Sequence, residues 1–259
     1  MNENNQADRY SRQEIFEYIG KAGQLKLGRG KVVIIGCGGL GCTIANLLVR
    51  AGVGRIRIVD RDTVSYSNLH RQTLFDEHDV KQRLPKAIAA QGHLEAINSL
   101  VEIEGINAEV NCSNIEKYCS DMDVILDGLD NLEIRYLVND MSLKSGIPFI
   151  FGGVLASMGM TMTIIPGVTP CFRCIFPDLP PPGTMPTSET EGILATAPSI
   201  IGSLEATEAI KLLIGTALIN RDLIVFDIWN ISLQRVLVTK RPICPACGGK
   251  YDFLGKKTT

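Results

Sequence analysis

The sequence predicts an α/β protein with a doubly wound, mainly parallel sheet that antiparallel strands extend on the C-terminal side. Three observations carry this expectation. Short runs rich in Val and Ile alternate with segments of helical length over the first 155 residues, the pattern of buried parallel strands with crossover helices. A glycine-rich turn follows the first of those runs. After residue 155 the pattern changes to strands that read as antiparallel, separated by a proline-rich connection.

In chain order, residues 1–28 read as an N-terminal helical segment, and "KVVIIG" (31–36) as the first strand. "RIRIVD" (55–60), "LVEIEGI" (100–106), "DVILDG" (123–128) and "PFIFGGV" (148–154) are likewise short and rich in branched apolar residues, and read as buried parallel strands. Between them "LGCTIANLLVRAG", "PKAIAAQGHLEAINS", "NIEKYCS" and "NLEIRYLVNDMSLKSG" are long enough for helices. Beyond residue 155, "MGMTMTIIP" and "LIVFDIWNISLQRVLVTK" read as antiparallel strands, and "FPDLPPPGTMPTSE" as a long irregular loop. The stretch "GILATAPSIIGSLEATEAIKLLIG" is apolar but carries Glu205, Glu208 and Lys211, which are costly in a bilayer, so it reads as a core helix. The expected organisation is one continuous domain: a helical start, a nucleotide-binding region over 29–155 and a C-terminal region over 156–259.

A chain of 259 residues, 45% apolar with a net charge of −2, buries a large core. No basic block is present, which argues against a nucleic-acid or membrane-surface partner. The polar N-terminus shows no secretory signal, so a cytoplasmic location is expected, where eight cysteines suit thiols or metal ligands better than disulfides.

"GCGGLG" (36–41) fits G-x-G-x-x-G between a strand and a helix, and Asp60 ends the next strand. Glycines there admit a phosphate to a helix N-terminus, and an acidic residue at that place accepts hydrogen bonds from ribose. A tight turn that binds nothing is the plain alternative. The glycines do not separate a dinucleotide from ATP; the following residues do. Asn68, Arg71 and Gln72 lie just past the second strand and Lys86 opens a helix after Pro85. Two cations and two amides suit a triphosphate better than a nicotinamide. Taken singly, each also fits a solvated loop.

These segments, together with "RYSRQ" (9–13), "DGLDN" (127–131), "PCFRC" (170–174), "IGSLEATEAIKLL" (201–213) and "CPAC" (244–247), form an ordered series over nearly the whole chain. The series resembles the ThiF/MoeB/HesA adenylyltransferases, relatives of the adenylation domain of ubiquitin-activating enzymes. The resemblance implies a Rossmann-like ATP-binding region in which Gly36, Gly38, Gly39 and Gly41 line the nucleotide. Asp60 would hold the ribose, and Asp62 and Gln72 would join the nucleotide-binding set. It further implies that Asn68, Arg71 and Lys86 contact phosphates and that Asp130 carries Mg²⁺. Arg12 would reach the γ-phosphate of a neighbouring subunit, making a homodimer. The implied reaction is attack of a carboxylate on the α-phosphorus of ATP, giving an acyl adenylate and pyrophosphate. A carboxylate ionised at neutral pH needs no general base, consistent with the absence of a catalytic His or Ser constellation. Asp127 reads equally as a site residue or as a cap for the following helix. His70, His78 and His93 lack ligand spacing and suit surface or packing roles.

Cys171 and Cys174 form one C-x-x-C, Cys244 and Cys247 a second, 69 residues on. Four thiolates so paired match a closed tetrahedral zinc site with a structural role; two reduced pairs or a redox dithiol are the alternatives. Cys37, Cys42, Cys112 and Cys119 read as small buried hydrophobes. Many members of the resembled family carry a further cysteine before the "IGSL" helix. Here none lies between Ile175 and Ile243, and Ser188 stands at the expected place, a far poorer nucleophile than a thiolate. The chain is therefore expected to stop at the adenylate and pass it to another protein's thiol.

Two substrates stay open: the C-terminal Gly-Gly of a ubiquitin-like sulfur carrier, threading near "FGG" (151–153), and a small carboxylic acid such as the guanylylpyridinol precursor of the iron-hydrogenase cofactor. The missing cysteine favours the second. An NAD-dependent oxidoreductase rests on the turn and Asp60 alone, and a nucleotide-binding scaffold leaves the charged set without a task.

Overall fold

The computed structural model describes residues 9–181 and 183–255. Helices α1 (Ser11–Ile15) and α2 (Gly20–Leu27) lead into β1 (Lys31–Ile35), α3 (Gly39–Ala51) and β2 (Arg55–Asp60). A 3₁₀ turn (Tyr66–Asn68) precedes α4 (Glu77–Lys81), α5 (Lys86–Ile97) and β3 (Glu102–Asn107). Then follow α6 (Ile115–Cys119), β4 (Val124–Asp127), α7 (Leu132–Ser145), β5 (Phe149–Leu155) and β6 (Met158–Ile164). The chain ends with α8 (Phe172–Ile175), α9 (Ser188–Glu191), α10 (Thr196–Ile214), β7 (Leu223–Asp227) and β8 (Ser232–Val236).

The eight strands form one sheet in the order β3-β2-β1-β4-β5-β6-β7-β8. The first five are parallel, and β6, β7 and β8 add in antiparallel fashion, so the predicted fold class holds. Successive side chains of a strand point to opposite faces, and β1 shows this directly. Val32 and Ile34 enter one apolar cluster with α3, α5 and α10. Val33 and Ile35 enter another with Tyr136 and Phe172. A central strand buried on both faces needs an unbroken apolar run, which explains why "VVII" carries no alternation.

Chain order reverses at β1, which has β2 on one side and β4 on the other. Ligands of such sheets sit at the carboxyl ends of the strands flanking that switch point. Glycine closes the long helices: Gly52, Gly146 and Gly215 take positive φ just past α3, α7 and α10, the left-handed conformation that costs a Cβ-free residue little. Among the described residues no helix is long and apolar enough to cross a membrane.

Several details differ from the sequence reading: short helices α8 and α9 stand in "PCFRC" and at the end of the segment read as an irregular loop. The third strand starts at Glu102 rather than residue 100. The polar segment after β2 contains α4, whose start is set by a reciprocal cap: Asp76 accepts the N–H of His78 and Asp79, and Asp79 accepts that of Asp76. So short a helix leaves no periodicity to read.

Candidate nucleotide site and cysteine cluster

The glycine turn is shaped by contacts that exclude side chains. A Cβ on Gly41 would stand 2.1 Å from the Gly36 carbonyl oxygen, and one on Gly128 only 2.0 Å from the same atom. The turn after β1 is thus pressed against the turn after β4. Gly36 has φ +94°, which favours glycine independently. Gly39 lies under Pro198 at the start of α10, 2.8 Å from its would-be Cβ. Gly38 differs: its nearest neighbour would be the Gly128 oxygen at 3.6 Å. Space open to a methyl group beside a helix N-terminus fits an entering phosphate.

Asp60 holds this turn in place. Its Oδ2 accepts the Cys37 N–H at 2.6 Å and its Oδ1 the Asp62 N–H at 2.7 Å. Burial raises its pKa, and the two N–H donors pull the other way. Each carboxylate oxygen keeps a second lone pair for a ribose hydroxyl, so the expected ribose role and the observed structural one are compatible. Asp62 passes the connection to α5: its carbonyl accepts the Lys86 N–H and its carboxylate pairs with Lys86 Nζ, both at 2.8 Å. Lys86 is buried in the first turn of α5, where the helix dipole disfavours a cation. Asp62 offsets that cost, and an anionic phosphate would do so too.

The strap between β2 and α4 contributes the remaining polar groups. Asn68 Oδ1 accepts the Ser65 N–H at 3.0 Å, and Arg71 Nη1 donates to the Ser67 carbonyl at 2.9 Å. The Arg71 carbonyl lies 3.5 Å from the would-be Cβ of Gly39, which places the strap against the turn. Gln72 is buried and its Oε1 has no partner. Across the turn Asp130 is exposed, two residues beyond Gly128, with no partner for its carboxylate among the described residues. A solvent-facing carboxylate beside a phosphate turn is the donor that Mg²⁺ takes when it keeps most of its waters. The predicted nucleotide residues therefore meet at one edge of the sheet.

Arg12 does not join them. Gln13 Nε2 donates to the Ala51 carbonyl at 2.9 Å, so α1 sits at the far end of α3, about 20 Å along the helix from the glycine turn. Exposed Ile15, Phe16, Tyr18 and Leu25 follow Arg12 along the chain.

Asp127 neither caps the following helix nor faces solvent. Asn131 caps α7 by accepting the N–H of Glu133 and Ile134. Asp127 is wholly buried and pairs with Arg135 at 2.9 Å. Burial raises its pKa, opposed first by Arg135. Arg135 was not singled out from the sequence, and the buried Glu205 beside it was noted only as a charge within a core helix. The signal for Arg135 was its place in the first turn of a helix starting just past "DGLD"; for Glu205 it was an acid inside an apolar helix. His70 and His78 are exposed, and His93 pairs with buried Asp79 at 2.9 Å. Asp76, Asp79 and His93 offer donor atoms within 4.8 Å of one another. Asp79 is already occupied by His93 and the Asp76 N–H, a packing role.

The four cysteines of the paired C-x-x-C motifs converge. Cys171 Sγ lies 3.9 Å from Cys174 and 3.6 Å from Cys244, and Cys174 lies 3.7 Å from Cys247. A zinc tetrahedron with Zn–S bonds of about 2.3 Å has edges of about 3.8 Å. The donor set and spacing fit that ion. Burial pushes the Cys171 thiol far up, so a cation's charge is what would hold these groups as thiolates. Cys37, Cys42 and Cys119 are buried as expected, Cys112 partly so.

Residues 10–246 match the model of the ThiF family. The chain belongs to the ThiF family. A sulfur carrier protein ThiS adenylyltransferase of Bacillus subtilis (strain 168) is 44% identical over 249 residues, 95% of this chain and 73% of that protein. The SAMP-activating enzyme E1 of Haloferax volcanii is 39% identical over 245 residues, 94% of this chain and 89% of that one. Among solved structures, Escherichia coli MccB with ATP superposes with a TM-score of 0.79 at 25% identity, covering 93% of this chain and 74% of MccB. This ThiF-family chain is an adenylyltransferase, and the oxidoreductase reading has no support among these relatives.

Proposed function

We propose that this enzyme activates the C-terminal carboxylate of a ubiquitin-like sulfur-carrier protein with ATP, forming an acyl adenylate and releasing pyrophosphate. The observation that carries the reading is the meeting of the open Gly38 position, Lys86 and an unpaired Asp130 at the switch point of a sheet whose 44%-identical relative is named for adenylating ThiS.

The task is electrostatic, because an anion approaches a polyanion and another anion leaves. Lys86 exchanges Asp62 for phosphate oxygens, and the Arg71 guanidinium gives up a backbone carbonyl for them. Arg12 enters from a second subunit of a homodimer. Magnesium held by Asp130 would supply further charge neutralisation on the leaving phosphates. The incoming carboxylate brings its own negative charge at neutral pH, so proton transfer is not required. Preorganised cations of this kind stabilise the developing charge.

Ser188 begins α9, with Thr187 as its cap. With serine there, the enzyme stops at the adenylate and a separate protein's thiol takes the acyl group. The same serine supports the second reading, a small carboxylic acid as substrate. ATP–pyrophosphate exchange measured with Gly-Gly carriers and with small acids, followed by mass detection of the adenylate, decides between them. Exchange with small acids and none with any carrier would overturn the carrier reading. Lys86→Ala and Asp130→Ala should each lower exchange about 100-fold or more, and near-normal rates in both would refute the site.

A further inference from the structure

Buried side chains at the carboxyl end of β4 form a group that the chemistry above leaves unused. Asp127 accepts the Leu129 N–H on Oδ1 at 3.0 Å and Arg135 Nε on Oδ2 at 2.9 Å. Arg135 Nη2 donates to the carbonyl of Leu129 and, at 2.9 Å, to that of Gly152. Its guanidinium carbon lies 5.5 Å from the centre of the Phe151 ring. Glu205 closes the other side, since a Cβ on Gly152 would stand 1.9 Å from Glu205 Oε1. One planar fork therefore grips the turn after β4 and the neighbouring strand β5 together.

Leu129, the residue before Asp130, is fixed at both its N–H and its carbonyl. Asn131, the residue after, is fixed by capping α7. Asp130 is thus bracketed on both sides while its own carboxylate stays exposed and unpaired. We propose that Arg135 is a positioning residue: it holds the 128–131 turn so that Asp130 meets the metal on the ATP phosphates, and ties that turn to the strand along which the carboxylate tail is proposed to thread. The inference rests on the reading that Asp130 carries magnesium. Lysine, a point charge on a flexible stem, cannot make the three directed bonds at once.

The test is Arg135→Lys, with ATP affinity measured by calorimetry in EDTA and in saturating Mg²⁺. The metal-free affinity should stay within about threefold of the wild type, while the tightening produced by Mg²⁺ should fall about tenfold or more. In the double variant Arg135→Lys/Asp130→Ala the loss should be no greater than for Asp130→Ala alone. Undiminished Mg²⁺ tightening, or losses that add, would overturn the proposal. So would a metal-free affinity reduced more than about tenfold, which would make Arg135 a residue of the fold itself. If Arg135→Lys lacks a cooperative melt, the pair Asp127→Asn/Arg135→Gln, which removes both charges of that ion pair together, is judged by the same criteria; failure of that pair to fold also overturns it. A wild type that gains nothing from Mg²⁺ would sink the underlying magnesium reading, whatever the variants show.

Discussion

A methyl group added at Gly38 would meet only the Gly128 oxygen at 3.6 Å, whereas one added at Gly128 would collide with the Gly36 oxygen at 2.0 Å. The two positions therefore separate ligand from fold. Gly38→Ala should leave stability within about 0.5 kcal/mol and weaken ATP about tenfold or more, because the methyl takes phosphate space. Gly128→Ala should lower the melting temperature instead. Calorimetry and thermal melts check both, and unchanged ATP affinity in Gly38→Ala would remove the phosphate from that position. Protonation gives a second test at this scale. Asp140 is wholly buried and accepts the Phe253 N–H at 3.0 Å, and burial lifts its pKa to about 6. A raised folded pKa means the stabilising proton is bound below about pH 4, the unfolded value, and is lost as pH rises through about 6. Asp140→Asn keeps an acceptor and never ionises. Its melting temperature should gain on the wild type between pH 4 and pH 7, by no more than about 3 kcal/mol in stability. A gap independent of pH would show that Asp140 titrates normally.

At the scale of elements, the cysteine cluster joins α8 to the tail after β8, across 69 residues of intervening sequence. A cross-link closing a loop of about that length restricts the unfolded chain by about 4 kcal/mol. Chelation should therefore lower the melting temperature by about 8–16 °C before it affects exchange at low temperature. Stripped protein that melts like the native form would make the ion incidental. The cluster was legible in the sequence because two C-x-x-C pairs announce their partners by spacing. The central parallel strands β1 and β4 were legible because burial on both faces demands an unbroken apolar run. Lys86 was legible as the residue after Pro85 at a helix start. The Asp127–Arg135 pair was not, since nothing in "DGLDNLEIR" states that α7 turns its first residues back toward β4. Nor was the double duty of Asp60, whose grip on the Cys37 and Asp62 N–H groups is a property of the folded turn. The cap role read as one of two equal options for Asp127 fails for the same reason: Asp127 ends β4 inside the core, and Asn131 caps α7.

For the molecule as a whole, Arg12 lies the length of α3 from its own glycine turn, so the proposed role of Arg12 in phosphate binding requires a second subunit to supply it. Mixing Arg12→Ala with Lys86→Ala subunits should restore exchange to about a quarter of the wild-type rate. Half of the randomly paired dimers are then mixed, and each mixed dimer holds one complete site. No recovery on mixing would place Arg12 outside the reaction. Exposed Ile15, Phe16, Tyr18 and Leu25 beside it supply apolar surface for such pairing. An enzyme completed by its twin has a rate that depends on its own abundance. On dilution below the dissociation constant of the pair, turnover per chain would decline in proportion to concentration, so a cell could silence the pathway by lowering expression without any inhibitor.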